Sequence, residues 1–371
     1  MSGDSALAVP LLPTDLETPS LVVDLDIVGL NIGRLAGEAR GRGVALRPHV
    51  KTHKSVALAR MQLEAGAAGI TAGTIGEAEV MAAAGIDDIF IAYPVWADGE
   101  RGERIARLHD AITLSVGIDS AEGAELLARA VTDAARPLDV LVEVDSGGHR
   151  TGLSMPADVV RVAGAARSAG LHVVGLFTHG GHSYAGPDAR LPAAADEALA
   201  LGTAADALGD AGHVVERISA GSTPTGIQAA TGQVKEIRPG TYLLGDRQQL
   251  VLGAIPPDGL ALIVAATVVS NAVPGQVVVN AGAKTVTKDR ASFLDGFGLL
   301  PAYPDAVIER LSDYHGVIAI PPGTAAPQLG EVVAIVPNHV CPVVDLFDTF
   351  VATRNGAVVG SWPVDARGRS G

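Results

Sequence analysis

Residues 44–55 read VALRPHVKTHKS and gather Arg47, His49, Lys51, His53 and Lys54 behind a short apolar run. Read as a strand, 44–50 alternates. Ala45, Arg47, His49 and Lys51 share one face, and Val44, Leu46 and Val50 the other. Lys51 then stands at the strand's end among other cationic groups. Neighbouring positive charge and loss of water both favour a neutral amine, the form that condenses with a carbonyl. The segment therefore has the makings of an imine-forming site. The bland alternative is a solvated basic loop. Lys54 is the rival nucleophile, but it lies three residues into the loop and is less fixed, so Lys51 is preferred.

A second spacing with chemical content is PNHVCP, which sets His339 and Cys341 two apart between β-rich runs. On a strand, positions i and i+2 point to one face. An imidazole and a thiolate on one face can share a Zn²⁺ ion, leaving other positions to water and substrate. The alternative is a buried cysteine beside a capping histidine.

These groups need a scaffold, and the chain supplies an alternating one. Candidate strands cover 44–50, 69–74, 88–95, 111–118, 139–146, 171–179, 214–221 and 237–245. Amphipathic Ala-rich stretches separate most of them, and Gly66, Gly85 and Gly170 punctuate helix ends. Eight strands with intervening helices over about 200 residues match a (β/α)₈ TIM-type barrel. A doubly wound open sheet shows the same alternation. Lys51 would then sit on the barrel's C-terminal rim, where sites of this fold lie. Beyond about residue 258 the pattern becomes strands and Pro/Gly turns, with one helix expected at 304–311. The expected division is a barrel over 27–255 and a β-domain made of 1–26 plus 256–371. The early strand at 21–26 is assigned to the latter.

Composition narrows the function classes. Of 371 residues 48% are hydrophobic and 18% charged, enough for a large core. A net charge of −14 argues against nucleic acid and anionic membrane as partners. The single cysteine excludes an intrachain disulfide and fits a reducing compartment. With no signal-like N-terminus and no membrane-length apolar run, a cytoplasmic protein is expected.

The segment RPHVKTHK resembles the Schiff-base motif of the D-serine dehydratase and D-threonine aldolase family, pyridoxal-phosphate enzymes of the alanine-racemase-like fold. The likeness continues in order through TPSLVVDLD, ITAGTIGEAEVMAAAGIDDIFIAYP, VEVDSGGHRTG, THGGHSY, SAGSTPT, EIRPGTYLLGD, NAGAKTVTKD and PNHVCPVVDLFD. The resemblance implies a barrel plus C-terminal β-domain, pyridoxal 5'-phosphate, a divalent metal and a small D-amino acid substrate. It also implies a homodimer, because the fold's relatives place one subunit's β-domain near another's barrel mouth.

It further implies residue roles. Lys51 carries the cofactor, and His49, Arg150, His179 and Tyr184 line its pocket. In SAGSTPT, Gly221 lets the backbone approach the phosphate, while Ser222 and Thr223 add hydroxyls and cap a following short helix. Arg238, on the eighth strand, faces the pyridine nitrogen, and Tyr242 contacts phosphate or ring. His339 and Cys341 hold the metal. Family dehydratases carry His-x-Cys here and D-threonine aldolases typically His-x-Asp, which tilts the expectation toward a dehydratase with Zn²⁺ and leaves Mn²⁺ open. The expected reaction converts a D-3-hydroxy amino acid into a 2-oxo acid and ammonia. The rival readings are retro-aldol cleavage to glycine and an aldehyde, racemisation, a non-catalytic cofactor-binding protein, and a barrel that uses no such cofactor.

Overall fold

The computed structural model describes residues 7–371, which divide into two compact units. The first comprises Leu35–Lys51, Leu58–Gly240 and Gly368–Gly371. The second comprises the chain up to Arg34, Thr52–Ala57 and Thr241–Arg367. The expected boundary at 255/256 thus lies within the second unit, and residues 1–6, counted with the β-domain, lie outside the described residues.

The first regular element, β1 (Ser20–Asp24), belongs to the second unit. The first unit is built from β2 (Ala45–Leu46), β3 (Ile70–Ala72), β4 (Asp88–Pro94), β5 (Thr113–Ile118), β6 (Asp139–Glu143), β7 (His172–Phe177), β8 (Arg217–Ala220) and β9 (Glu236–Ile237). All pair in parallel, in the order β2-β9-β8-β7-β6-β5-β4-β3. A parallel bridge from His49 to Thr71 joins the first strand's continuation to β3 and closes the barrel. Strands buried on both faces read as apolar runs rather than alternations, as Val140, Leu141 and Val142 do at the centre of Asp139–Glu143.

All eight barrel strands are shorter than the expected ranges, β2 and β9 most of all. β2 stops at Leu46, and regular pairing lapses at Pro48, which has no N–H for the ladder. It returns as the single bridge at His49, whose N–H donates to the Pro239 carbonyl at 3.1 Å. The eighth strand ends at Ile237 for the same reason, since Pro239 follows two residues on. Its expected continuation, Thr241–Leu243, is a 3₁₀ turn in the second unit. Inside the barrel Phe90 and Phe177 meet edge-to-face at 5.1 Å. Nearer the strand N-termini, Arg47 bonds Asp88 at 2.6 Å and Glu236 at 2.9 Å, an interior ion-pair network.

The second unit adds β10 (Leu262–Ser270), β11 (Gln276–Val279), β12 (Val307–Leu311), β13 (Gly316–Ala319), β14 (Val332–Ile335), β15 (Thr349–Arg354) and β16 (Ala357–Pro363). The order is β12-β13-β11-β10-β1-β15-β16, with β14 also on β10. Pairing is antiparallel except between β1 and β15. Val22, Leu260, Ile263, Ala265 and Val336 form its core. The helix expected at 304–311 is instead strand β12: its pairing with β13 outweighs the local pattern of VIERL. Among the described residues no helix is long and apolar enough to cross a membrane.

Candidate active site

Lys51 lies in the 3₁₀ turn Val50–Thr52, past the C-terminal end of β2, rather than on an unbroken strand. The residue is exposed, and its N–H donates to His49 Nδ1 at 3.4 Å. Gly73, just past β3, leaves room beside it. A Cβ there would stand 3.4 Å from His49 Cε1, 3.5 Å from Lys51 Cβ and 3.2 Å from Glu77 Oε2. The Gly73 N–H is held by that same Glu77 oxygen at 2.7 Å. Among the described residues no carboxylate pairs with Lys51. The rival Lys54 is committed: in the second unit its Nζ bonds Asp345 at 2.7 Å, with the side chain only 8% exposed.

The ends of β6 and β7 frame a cleft of about 270 Å³ lined by Glu143, Asp145, Arg150, Thr151, His179 and Tyr184. Asp145 folds the loop after β6, accepting the N–H groups of Gly147 and His149 and bonding the His149 imidazole at 2.8 Å. This leaves Arg150 exposed at the cleft edge. The His179 and Tyr184 rings lie 6.3 Å apart, tilted by 40°. Burial pushes the His179 pKa down to about 3, and the charges of Lys51, Arg150, Arg238 and His182 push the same way. His179 is therefore neutral and offers a flat uncharged face. Glu143 is 3% exposed. One oxygen accepts the Thr151 hydroxyl at 2.9 Å and the other has no partner. Burial pushes this carboxyl up to about 7, against the pull of Thr151, Arg150 and Arg238.

After β8, Gly221 adopts φ +75°, and a Cβ there would meet Ile237 Cγ2 at 2.8 Å. Only glycine fits both demands. Ser222 and Thr223 are buried. They do not cap the following 3₁₀ turn, Gly226–Ala229. Instead the Ser222 N–H donates to the Thr225 hydroxyl at 2.9 Å, a local side-chain bond that Ser/Thr loops favour. Arg238 lies past the end of β9 and donates its N–H to the Gly221 carbonyl at 3.0 Å. Its guanidinium turns into the barrel, donating to Ser219 Oγ and the Thr178 carbonyl at 2.5 Å each and lying over Phe90 and Phe177. Burial lowers its pKa to about 10, which leaves it charged at neutral pH.

In the second unit His339 occupies the N-cap position of the short helix Val340–Val344 without a side-chain capping bond, and Cys341 sits in its first turn. The strand geometry expected for this pair is therefore replaced by a cap. Pro342 is tolerated in that first turn, where its missing N–H would have had no helical partner. The Cys341 side chain favours charge on the His339 imidazole. His339 Nδ1 bonds Asp289 Oδ2 at 2.6 Å. Burial opposes charge on this imidazole, but Asp289 and Cys341 together raise its pKa to about 11. Cys341 Sγ also lies 3.3 Å from the Thr52 hydroxyl and 3.9 Å from that of Thr241. The fully buried Asp246 accepts the Val340 N–H at 3.0 Å, which fixes the backbone between the two candidate ligands. Among the described residues no group of three His, Cys, Asp or Glu side chains forms a metal cluster, so protein ligation here means the pair. Tyr242 is buried in this unit, on the 3₁₀ turn rather than on a barrel strand.

Lys51, His49, Arg150, His179, Tyr184, Gly221, Ser222, Thr223 and Arg238 all belong to the barrel unit, where Arg150, His179 and Tyr184 line one cleft. The second unit holds Tyr242, His339 and Cys341. Both sets suit the groups expected of them. A neutral imidazole face, a side-chain-free approach at Gly221 and buried hydroxyls fit a phosphorylated ring. An imidazole two residues from a thiol, with a carboxylate on one ring nitrogen, fits a metal. Asp289, Asp246, Glu143 and Glu197 were not singled out from sequence. Asp289 ends NAGAKTVTKD and Glu143 closes an apolar strand at the rim, signals that are visible only once the rim is known.

Known proteins match along the whole chain. The alanine racemase N-terminal domain family matches residues 23–248, and the putative serine dehydratase domain family matches 261–353. A D-threonine aldolase of Arthrobacter sp is 34% identical over 98% of this chain and 97% of its own. The solved D-threonine aldolase of Filomicrobium marinum superposes with a TM-score of 0.88 at 34% identity, covering 98% of this chain and all of its own. The D-threo-3-hydroxyaspartate dehydratase of Delftia sp. HT23 superposes at 0.87 with 32% identity, covering 94% and 97%. Variants of such a dehydratase have been solved with a histidine and a cysteine, two positions apart in its chain, each replaced by alanine; the cysteine variant is in a metal-free form. The chain belongs to the D-serine dehydratase and D-threonine aldolase family, pyridoxal-phosphate-dependent lyases of D-amino acids with the alanine-racemase-like fold.

Proposed function

We propose that this enzyme eliminates the hydroxyl of a D-3-hydroxy amino acid, giving a 2-oxo acid and ammonia, as a D-serine dehydratase does, with a divalent metal held by His339 and Cys341. The observation that carries this reading is Asp289 bonded to Nδ1 of His339, two residues from Cys341, whose side chain also favours charge on that imidazole. Metal-ligating histidines usually donate their second N–H to a carboxylate, which fixes the tautomer and raises ligand basicity. A thiolate beside imidazole favours Zn²⁺ over harder ions, with Mn²⁺ the alternative. When bound, pyridoxal phosphate supplies an electron sink for bond breaking at the α-carbon, and the metal supplies Lewis acidity to the leaving hydroxyl.

The chain's own residues have distinct tasks in this reading. Lys51 would carry the cofactor as its covalent anchor, and its freed amine would take the α-proton. His179 packs its neutral face against the ring. Gly221, Ser222 and Thr223 hold the phosphate. Arg238 keeps its own proton and so donates a hydrogen bond to the ring nitrogen without protonating it.

The likeness to D-threonine aldolases favours a second reading, cleavage of Cα–Cβ to glycine and an aldehyde. Product identification separates the two. Purified protein with pyridoxal phosphate and Zn²⁺ or Mn²⁺ is given D-threonine. 2-Oxobutyrate and ammonia are the expected products, whereas glycine and acetaldehyde would establish the aldolase instead.

A further inference from the structure

Glu197 lies on the helix Arg190–Asp210 and is completely buried. Its Oε1 accepts the Gly180 N–H at 2.8 Å and the Gly221 N–H at 3.3 Å. The Thr225 hydroxyl in the same loop accepts the Ser222 N–H at 2.9 Å. Gly180 directly follows His179, and Gly221 and Ser222 open the loop after β8. One carboxyl thus ties the two loops that present a ring face and a phosphate cradle. The fit at Gly180 is tight, because a Cβ there would stand 2.8 Å from Glu197 Cδ. Oε2 has no partner, an arrangement that a purely apolar strut would avoid.

We propose that Glu197 is a positioning residue for the cofactor, holding the His179 loop and the Gly221–Thr223 loop in register so that both halves of one phosphorylated ring are recognised together. This rests on the cofactor reading above. It predicts coupled loss: without the carboxyl, neither loop keeps the place the other needs.

The test is calorimetric binding to cofactor-free protein of three ligands: pyridoxal phosphate, pyridoxal lacking the phosphate, and inorganic phosphate. Glu197→Ala is expected to weaken pyridoxal phosphate by roughly tenfold or more and to weaken both fragments. Glu197→Gln keeps an oxygen that can accept both N–H groups and is expected to stay within about threefold of the wild type. Should the alanine variant fail to fold, Glu197→Asp withdraws the acceptor by one methylene at constant charge and is expected to show the same coupled loss. Melting temperatures of the cofactor-free proteins separate affinity from stability. A variant that melts earlier but binds all three ligands normally overturns the inference, as does loss confined to one fragment. A wild-type protein that binds no pyridoxal phosphate overturns the cofactor reading itself, and this inference with it.

Discussion

His339 Nδ1 and Asp289 Oδ2 lie 2.6 Å apart although fifty residues separate them in the chain. With Nδ1 held by Asp289, Nε2 is the imidazole's remaining ligand atom. Replacing Asp289 by alanine is expected to lower metal affinity by roughly 10- to 100-fold while leaving the fold intact. Chelator competition against a colorimetric indicator measures this directly. Unchanged affinity would mean that the carboxylate does not support a metal ligand.

Cys341 is expected to select the ion. Cys341→Ala should leave the protein without stoichiometric metal after gel filtration. Cys341→Asp substitutes a hard oxygen for a soft sulfur and should shift preference from Zn²⁺ toward Mn²⁺. Elemental analysis of protein equilibrated with both ions reads the ratio, and an unaltered ratio would remove Cys341 from the coordination shell.

The two lysines predict opposite phenotypes. Lys51→Ala should abolish the borohydride-reducible link to pyridoxal phosphate with little change in stability. Lys54→Ala should keep that link but cost roughly 1–3 kcal/mol, because Asp345 loses a buried partner. Asp345 keeps 31% of its side-chain surface, and water there moderates the loss. Mass spectrometry of the reduced adduct and urea unfolding decide the matter; a surviving adduct in Lys51→Ala would transfer the role to Lys54.

Glu143 makes stability depend on pH. Its carboxyl ionises near 4.5 when unfolded and near 7 when folded, burial being the main cause. The folded state binds the extra proton between these values, so this residue's contribution falls as pH rises through that window and is level above it. The size is roughly 3 kcal/mol. Glu143→Gln removes the titration, so the variant should gain on the wild type by about that amount from the lower to the upper end of the window. Urea unfolding of the cofactor-free proteins at both ends tests this, and a constant difference would show that Glu143 titrates normally.

Gly221→Ala must accept φ +75° and a Cβ 2.8 Å from Ile237 Cγ2. The expected cost is roughly 1–3 kcal/mol in unfolding free energy, with weaker cofactor binding as the loop shifts. Normal stability would mean that the loop can rebuild itself.

Much of the architecture was legible in the residue order. Apolar runs alternating with Ala-rich amphipathic stretches report the barrel, because each element must bury one face and each period is local. The change to strands and turns after about 258 reports the sheet for the same reason. Lys51 stood out because a strand pattern leads into a cluster of cations. Where local pattern misled, long-range pairing or a missing donor had decided: β12 is a strand because β13 lies beside it, and Pro48 and Pro239 cut two barrel strands short.

The order of residues alone determined the element types, the candidate lysine, and the imidazole and thiol two positions apart. Tertiary structure decided which groups are free to act. It committed Lys54 to Asp345, set Asp289 behind His339, sank Arg47 and Arg238 into the barrel, and placed Glu197 under two loops at once. Periodicity encodes burial within one element, whereas a hydrogen bond between residues tens or hundreds of positions apart exists only once the intervening chain has folded.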